Sequence, residues 1–135
     1  MERLKERIDV TKKALLAFDD VLNHPYSTIV RDAAIQRFEF TLEAIWKLAQ
    51  RHLILHEGLE SASPKSVIRD CFQAKLIDEN QTHVLLQAVD DRNLTVHTYN
   101  EKLAEQIYQN LFTYQPIFHK IYTAICINQL SGESS

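Results

Sequence analysis

The stretch Gln36-Arg37-Phe38-Glu39-Phe40-Thr41-Leu42-Glu43-Ala44-Ile45-Trp46-Lys47 decides the fold. Extended to its neighbours, it places Ile35, Phe38, Leu42, Ile45, Ala49 and Leu53 at steps of three or four, the spacing of one helical face. Trp46 lies beside that stripe. At about 100° per residue, Ala33, Phe40 and Ala44 fall on nearly the opposite side. A helix that is apolar on two faces is either sandwiched inside one bundle or shared between two chains. In so small a domain a self-association seam is the expected use.

Working outward, the periodicity predicts a first helix over residues 2–22, with Leu4, Ile8, Leu15, Phe18 and Leu22 inward. Asn23-His24-Pro25 ends it, because proline disfavours helical geometry in the residue before it. The central helix is expected over about 28–55, closing on His52, His56 and Glu57 before the Gly58 break. Histidines four apart can share a metal. Without a third ligand nearby, they read instead as a solvated last turn complementing the helix dipole. Ser63-Pro64 opens a short third helix, a cap residue followed by proline at the first helical position. It is expected to bury Val67, Ile68, Cys71 and Phe72 and to end near Lys75, leaving Lys65, Arg69 and Lys75 as a basic outer face. Asp78 caps a fourth helix that buries Val84, Leu85, Ala88 and Val89. Asn100 caps the last, whose stripe is Leu103, Ile107, Leu111, Tyr114, Phe118, Ile121 and Ile125, with a kink expected at Pro116. Tyr108 and Phe112 lie off this stripe and form a second candidate seam.

Composition agrees with this helical count. The chain has 135 residues, 45% of them hydrophobic and 24% charged, with two glycines and three prolines. So few turn residues exclude a sandwich or barrel, which needs them at short, regular intervals. The prediction is all-α: an up-and-down bundle of four to five helices, dimerising, with one domain over 1–130 and a disordered tail over 131–135. A net charge of −3 and a pI near 6.0 give no global basic field for nucleic acid, so any RNA contact must be local. Cys71 and Cys126 sit in apolar helical patterns and read as core residues rather than a disulfide. No apolar run reaches membrane-spanning length, and Met1-Glu2-Arg3-Leu4-Lys5-Glu6-Arg7 reads as a charged helix start rather than a signal peptide. A cytoplasmic protein is expected.

Chemistry concentrates in Asp90-Asp91-Arg92-Asn93-Leu94-Thr95-Val96-His97-Thr98-Tyr99. Histidine both gives and takes a proton near neutrality, and arginine offers a planar fork that matches a phosphate. Together they suit work on a phosphodiester. In an unbroken helix Arg92 and His97 would stand about 140° apart and share no face. A joint site therefore needs a bend here, made plausible by Asn93, Thr95 and Val96, or a second copy of the chain.

Arg92-x4-His97-x-Tyr99 resembles the signature of the HEPN superfamily. With the 36–47 block and Ser63-Pro64-Lys65-Ser66-Val67-Ile68-Arg69, in that order and spacing, it is closest to the HepT branch, also called nucleotidyltransferase substrate-binding proteins. The resemblance covers about residues 2–128. It implies a homodimeric bundle with the Arg/His motifs at the interface. It also implies a type VII-like toxin–antitoxin pair whose other member is a minimal nucleotidyltransferase, and a metal-independent endoribonuclease that needs no cofactor. On that basis Arg92 holds the scissile phosphate and His97 handles the proton of the 2′-hydroxyl or of the leaving 5′-oxygen. Asn93 orients the site, and Tyr99 is the tyrosine the transferase adenylylates. Lys65, Arg69 and Lys75 are the candidate RNA contacts. The alternative is a non-catalytic subunit that presents substrate to a two-chain nucleotidyltransferase.

Overall fold

The computed structural model describes the backbone of residues 2–134 and the side chains of residues 4–128. The tail expected over 131–135 lies outside the fully described residues. Five helices form an up-and-down bundle: α1 (Glu2–Leu22), α2 (Thr28–Glu57), α3 (Pro64–Gln73), α4 (Glu79–Leu94) and α5 (Glu101–Ser134). A 3₁₀ turn, Thr95–His97, joins α4 to α5.

Helices α2 to α5 each start on a capping residue. Ser27 accepts from the Val30 amide, Ser63 and Ser66 form a reciprocal capping box with Pro64 inside it, and Asp78 does the same with Gln81. Asn100 accepts from the Leu103 amide at the head of α5. Gly58 closes α2 in the left-handed region, at φ 65°. Lys75 takes the same role after α3 at φ 64°, where Leu76 N–H donates to the Cys71 carbonyl. A lysine there bears a Cβ penalty that the buried Leu76 and Ile77 behind it offset.

Helices α1 and α2 are antiparallel at close range, as three cross-helix bonds record. Thr11 Oγ1 donates to the Ala44 carbonyl, Thr41 Oγ1 to Ala14 and Arg37 Nη1 to Ala17. Small alanines at each contact let the backbones approach. The core is aromatic where α1, α2 and α5 meet: Phe38 stacks on Phe118 at 6.1 Å and on Tyr114 at 5.6 Å, and Phe18 closes the cluster. Helix α5 runs through Pro116 as one element.

Three expectations are corrected. His52 is not in a solvated turn but 1% exposed, because it stands three, four and seven residues after the buried Ala49, Leu48 and Ile45 and so shares their face of α2. Tyr108 is buried within the chain, edge-on to Tyr26, so only its neighbour Phe112 remains half exposed. Phe72 is 40% exposed, since α3 ends one residue later and turns that edge outward. Phe40, by contrast, stands 61% exposed on the face opposite the core, as the two-sided pattern of α2 requires of a single chain.

Candidate functional site

The bend that the Arg/His pair needs lies between its two members. Helix α4 ends at Leu94, and Thr95 donates both its N–H and its hydroxyl to the Arg92 carbonyl, the latter at 2.7 Å. Thr98 repeats the pattern onto Thr95, and the Asn100 amide reaches the His97 carbonyl at 3.0 Å. These i→i+3 bonds tighten the chain into the 3₁₀ turn. A threonine with its hydroxyl on the backbone favours that step over another α turn. The two ends of the segment thereby point to two microenvironments.

At the first, Arg92 and Asn93 line a cleft of about 190 Å³ between α2, the start of α3 and the end of α4. Glu43 and Trp46 form its other wall. Trp46 Nε1 donates to Glu43 Oε2 at 2.9 Å, and Lys47 lies 3.0 Å from Oε1. Burial works against the charged form of Glu43, yet these two bonds and the nearby Arg92 charge hold its carboxyl below the usual range. Asp91 turns the other way. It accepts from Tyr114 Oη at 2.5 Å and from Asn110 Nδ2 at 2.9 Å, anchoring the last turn of α4 to α5.

At the second, His97 and Tyr99 are exposed and paired. Their rings meet edge-on at 5.9 Å, and Tyr99 Oη lies 3.5 Å from His97 Nδ1. Tyr99 is 82% exposed, its phenol open to a partner. Among the described residues, no hydrogen bond or ion pair joins Arg92 to His97 within one chain. The turn at Thr95 alone connects the two pairs.

The basic residues divide. Lys65 is engaged with Asp90 at 2.6 Å, pinning the start of α3 beside α4. Arg69 is exposed on the same helix. Lys75 lies beyond the far end of α3, whose length of about 15 Å separates it from Pro64 and the cleft. His52 and His56 stack at 4.6 Å, but among the described residues no group of three metal-binding side chains forms. Both cysteines are free, and no described helix is long and apolar enough to cross a membrane.

Several residues that shape this region escape sequence reading. Arg31, only 3% exposed, bonds Glu101 at 2.6 Å and Glu105 at 2.9 Å. Tyr26 adds a hydrogen bond to Glu105, so the first turn of α5, just past Tyr99, is clasped to the start of α2. These partners lie 70 or more positions apart in the chain, and only folding reveals them. Glu43 carried a local signal, three before Trp46 and four before Lys47, but nothing in the sequence aimed it at Arg92.

Residues 6–126 match the family model described as nucleotidyltransferase substrate binding protein like. No curated protein sequence matches. Among solved structures, a protein of Thermus thermophilus is 43% identical, over 85% of this chain and 98% of that one, with a TM-score of 0.82. A tri-AMPylated HEPN toxin of Shewanella oneidensis, in complex with its MNT antitoxin, superposes with a TM-score of 0.75 at 17% identity, over 92% of this chain and 96% of that one. A mutant MntA–HpeT toxin–antitoxin complex does so at 0.77 and 17%, over 94% and 99%. With its family model spanning nearly the whole sequence, the chain belongs to the nucleotidyltransferase substrate binding protein like family and has the fold of the HepT-like HEPN toxins.

Proposed function

We infer that this protein is the toxin of a toxin–antitoxin pair: a metal-independent endoribonuclease, acting as a homodimer and silenced by a small nucleotidyltransferase that adenylylates Tyr99. The observation that carries the reading is the α4–3₁₀ junction. It sets a cation in a cleft beside a polar amide, and then an exposed histidine against an exposed tyrosine. Two structural neighbours with this fold are toxins in complex with antitoxins, and one of those toxins is AMPylated.

In the proposed reaction Arg92 binds the scissile phosphate and stabilises the charge that grows on it in the transition state. His97 accepts the proton of the ribose 2′-hydroxyl. The 2′-oxygen attacks phosphorus and the P–O5′ bond breaks, leaving a 2′,3′-cyclic phosphate, while the proton held by His97 passes to the departing 5′-oxygen. Asn93 orients the phosphate from the same cleft. A second protomer supplies the complementary pair, because one chain keeps Arg92 and His97 out of direct contact. Arg69 lies on the RNA path, and Lys65 contributes if RNA displaces Asp90. Adenylylation of Tyr99, which touches His97, adds bulk and negative charge where RNA phosphate must pass.

The second reading, a substrate-presenting subunit of a two-chain nucleotidyltransferase, is favoured by the family's description. Expression in a bacterial host separates the two. The nuclease reading expects growth arrest with RNA breakdown, relieved by co-expressing the neighbouring transferase. Unimpaired growth with intact RNA supports the subunit instead.

A further inference from the structure

The cleft beside Arg92 has a composition that phosphate binding does not require. Phosphate needs Arg92. It does not need an indole wall, and it is opposed by a carboxylate held in its ionised form. Yet Trp46 and Glu43 are hydrogen-bonded to each other along one side of the cleft, opposite Asn93, with Leu42 and Pro64 closing the apolar remainder. At about 190 Å³ the space falls below the ~300–1,000 Å³ of pockets for drug-sized ligands, so it suits one planar base rather than a whole nucleotide.

We propose that this cleft is a nucleobase pocket that selects guanine in the nucleotide next to the scissile phosphate. The proposal rests on the nuclease reading for the place of that phosphate. Unstacked RNA bases are recognised by stacking on aromatic rings and by hydrogen bonds to their Watson–Crick edges. Trp46 supplies the ring. An ionised carboxylate only accepts hydrogen bonds, so Glu43 favours an edge that offers adjacent donors. Guanine alone presents two, N1–H and the 2-amino group. Uracil flanks its single N–H with carbonyl oxygens that repel the carboxylate, while adenine and cytosine pair an amino group with a ring acceptor. The oxygens of Glu43 keep lone pairs beyond those given to Trp46 and Lys47, and Asn93 offers both a donor and an acceptor from the other wall. Arg92, at the same cleft, offsets the repulsion between Glu43 and the backbone.

Trp46 is the sole tryptophan, so the fluorescence of the full-length protein reports this pocket. Titration with GMP, CMP, AMP and UMP should give the strongest quench with GMP, bound about tenfold or more tighter than UMP, the scale of one bidentate base contact. Glu43→Gln keeps the size and the acceptor for Trp46 and should remove that preference. Equal quenching by all four nucleotides, or none by wild type, would overturn the proposal without needing any variant to fold. The titration requires no cleavage, so a missing quench leaves the nuclease reading standing. Guanine-selective binding by a protein that cuts no RNA would leave the pocket and remove the nuclease.

Discussion

Tyr114 Oη donates a 2.5 Å hydrogen bond to Asp91, the residue immediately before Arg92. Tyr114 is fully buried, and burial together with this bond pushes its phenol well above the ordinary range. The phenol therefore stays a donor at every physiological pH, and the last turn of α4 hangs on the core through it. Tyr114→Phe should cost about 1.5–3 kcal/mol, the scale of a hydrogen bond to a charged group. Urea unfolding measures that loss. If Asp91 holds Arg92 in place, RNA cleavage should fall as well under conditions where the variant remains folded.

The bundle should be acid-sensitive through His52. Burial, with the charge of His56 adding to it, lowers its pKa from the ordinary 6.5 to about 4. The unfolded chain then binds the proton more readily than the folded one. Stability is therefore full above about pH 6.5 and is lost as pH falls toward 4. Between pH 7 and pH 5 the loss should be about 2 kcal/mol. His52→Leu should flatten that slope in urea titrations at the two pH values, and an unchanged slope would mean that another group titrates.

Phe40 offers a clean test of self-association. It is exposed on a face it shares with the half-buried Ala44, which with Val10 lines a shallow cleft over α1 and α2. Phe40→Glu should leave the helical signal intact and weaken the dimer by about a hundredfold or more, because dimerisation would bury the charge. Light scattering of wild type and variant at micromolar concentration decides it. A monomeric wild type would end the shared-site account.

Tyr99 should be the site of adenylylation. Co-expression with a minimal nucleotidyltransferase as the proposed partner, followed by peptide mass spectrometry, should place AMP on this residue, and Tyr99→Phe should escape silencing. An unmodified Tyr99 peptide from an inhibited complex would mean that the partner acts by covering the site.

Much of this architecture was legible in the chain. The stripes of α1, α2, α4 and α5 and the caps Ser63, Asp78 and Asn100 follow from local spacing and side-chain chemistry, which folding left in force. For Arg92 and His97 the spacing left open a bend or a second copy of the chain; α4 does end between them, yet no hydrogen bond joins them among the described residues. What could not be read depends on distance along the sequence. Arg31 finds Glu101 and Glu105, Asp91 finds Tyr114, and Glu43 comes to flank Arg92 only when α2, α4 and α5 pack. His52 was misplaced because it was read as part of the closing turn, although it continues the buried face of Ile45, Leu48 and Ala49 at helical spacing. Tyr108 was misplaced because Tyr26, the ring that covers it, lies in a loop with no periodicity to betray it.

The most direct test of the central claim is cleavage of labelled single-stranded RNA by the purified protein in the presence of a metal chelator. Wild type should cut, leaving 5′-hydroxyl ends. His97→Ala should be slower by ~10²–10⁴, the usual cost of losing a general acid or base, with its fold intact because the side chain is exposed. Arg92→Lys should also be impaired, since an ammonium does not reproduce the planar fork. RNA left whole by wild type, or cut equally well by His97→Ala, would contradict the account.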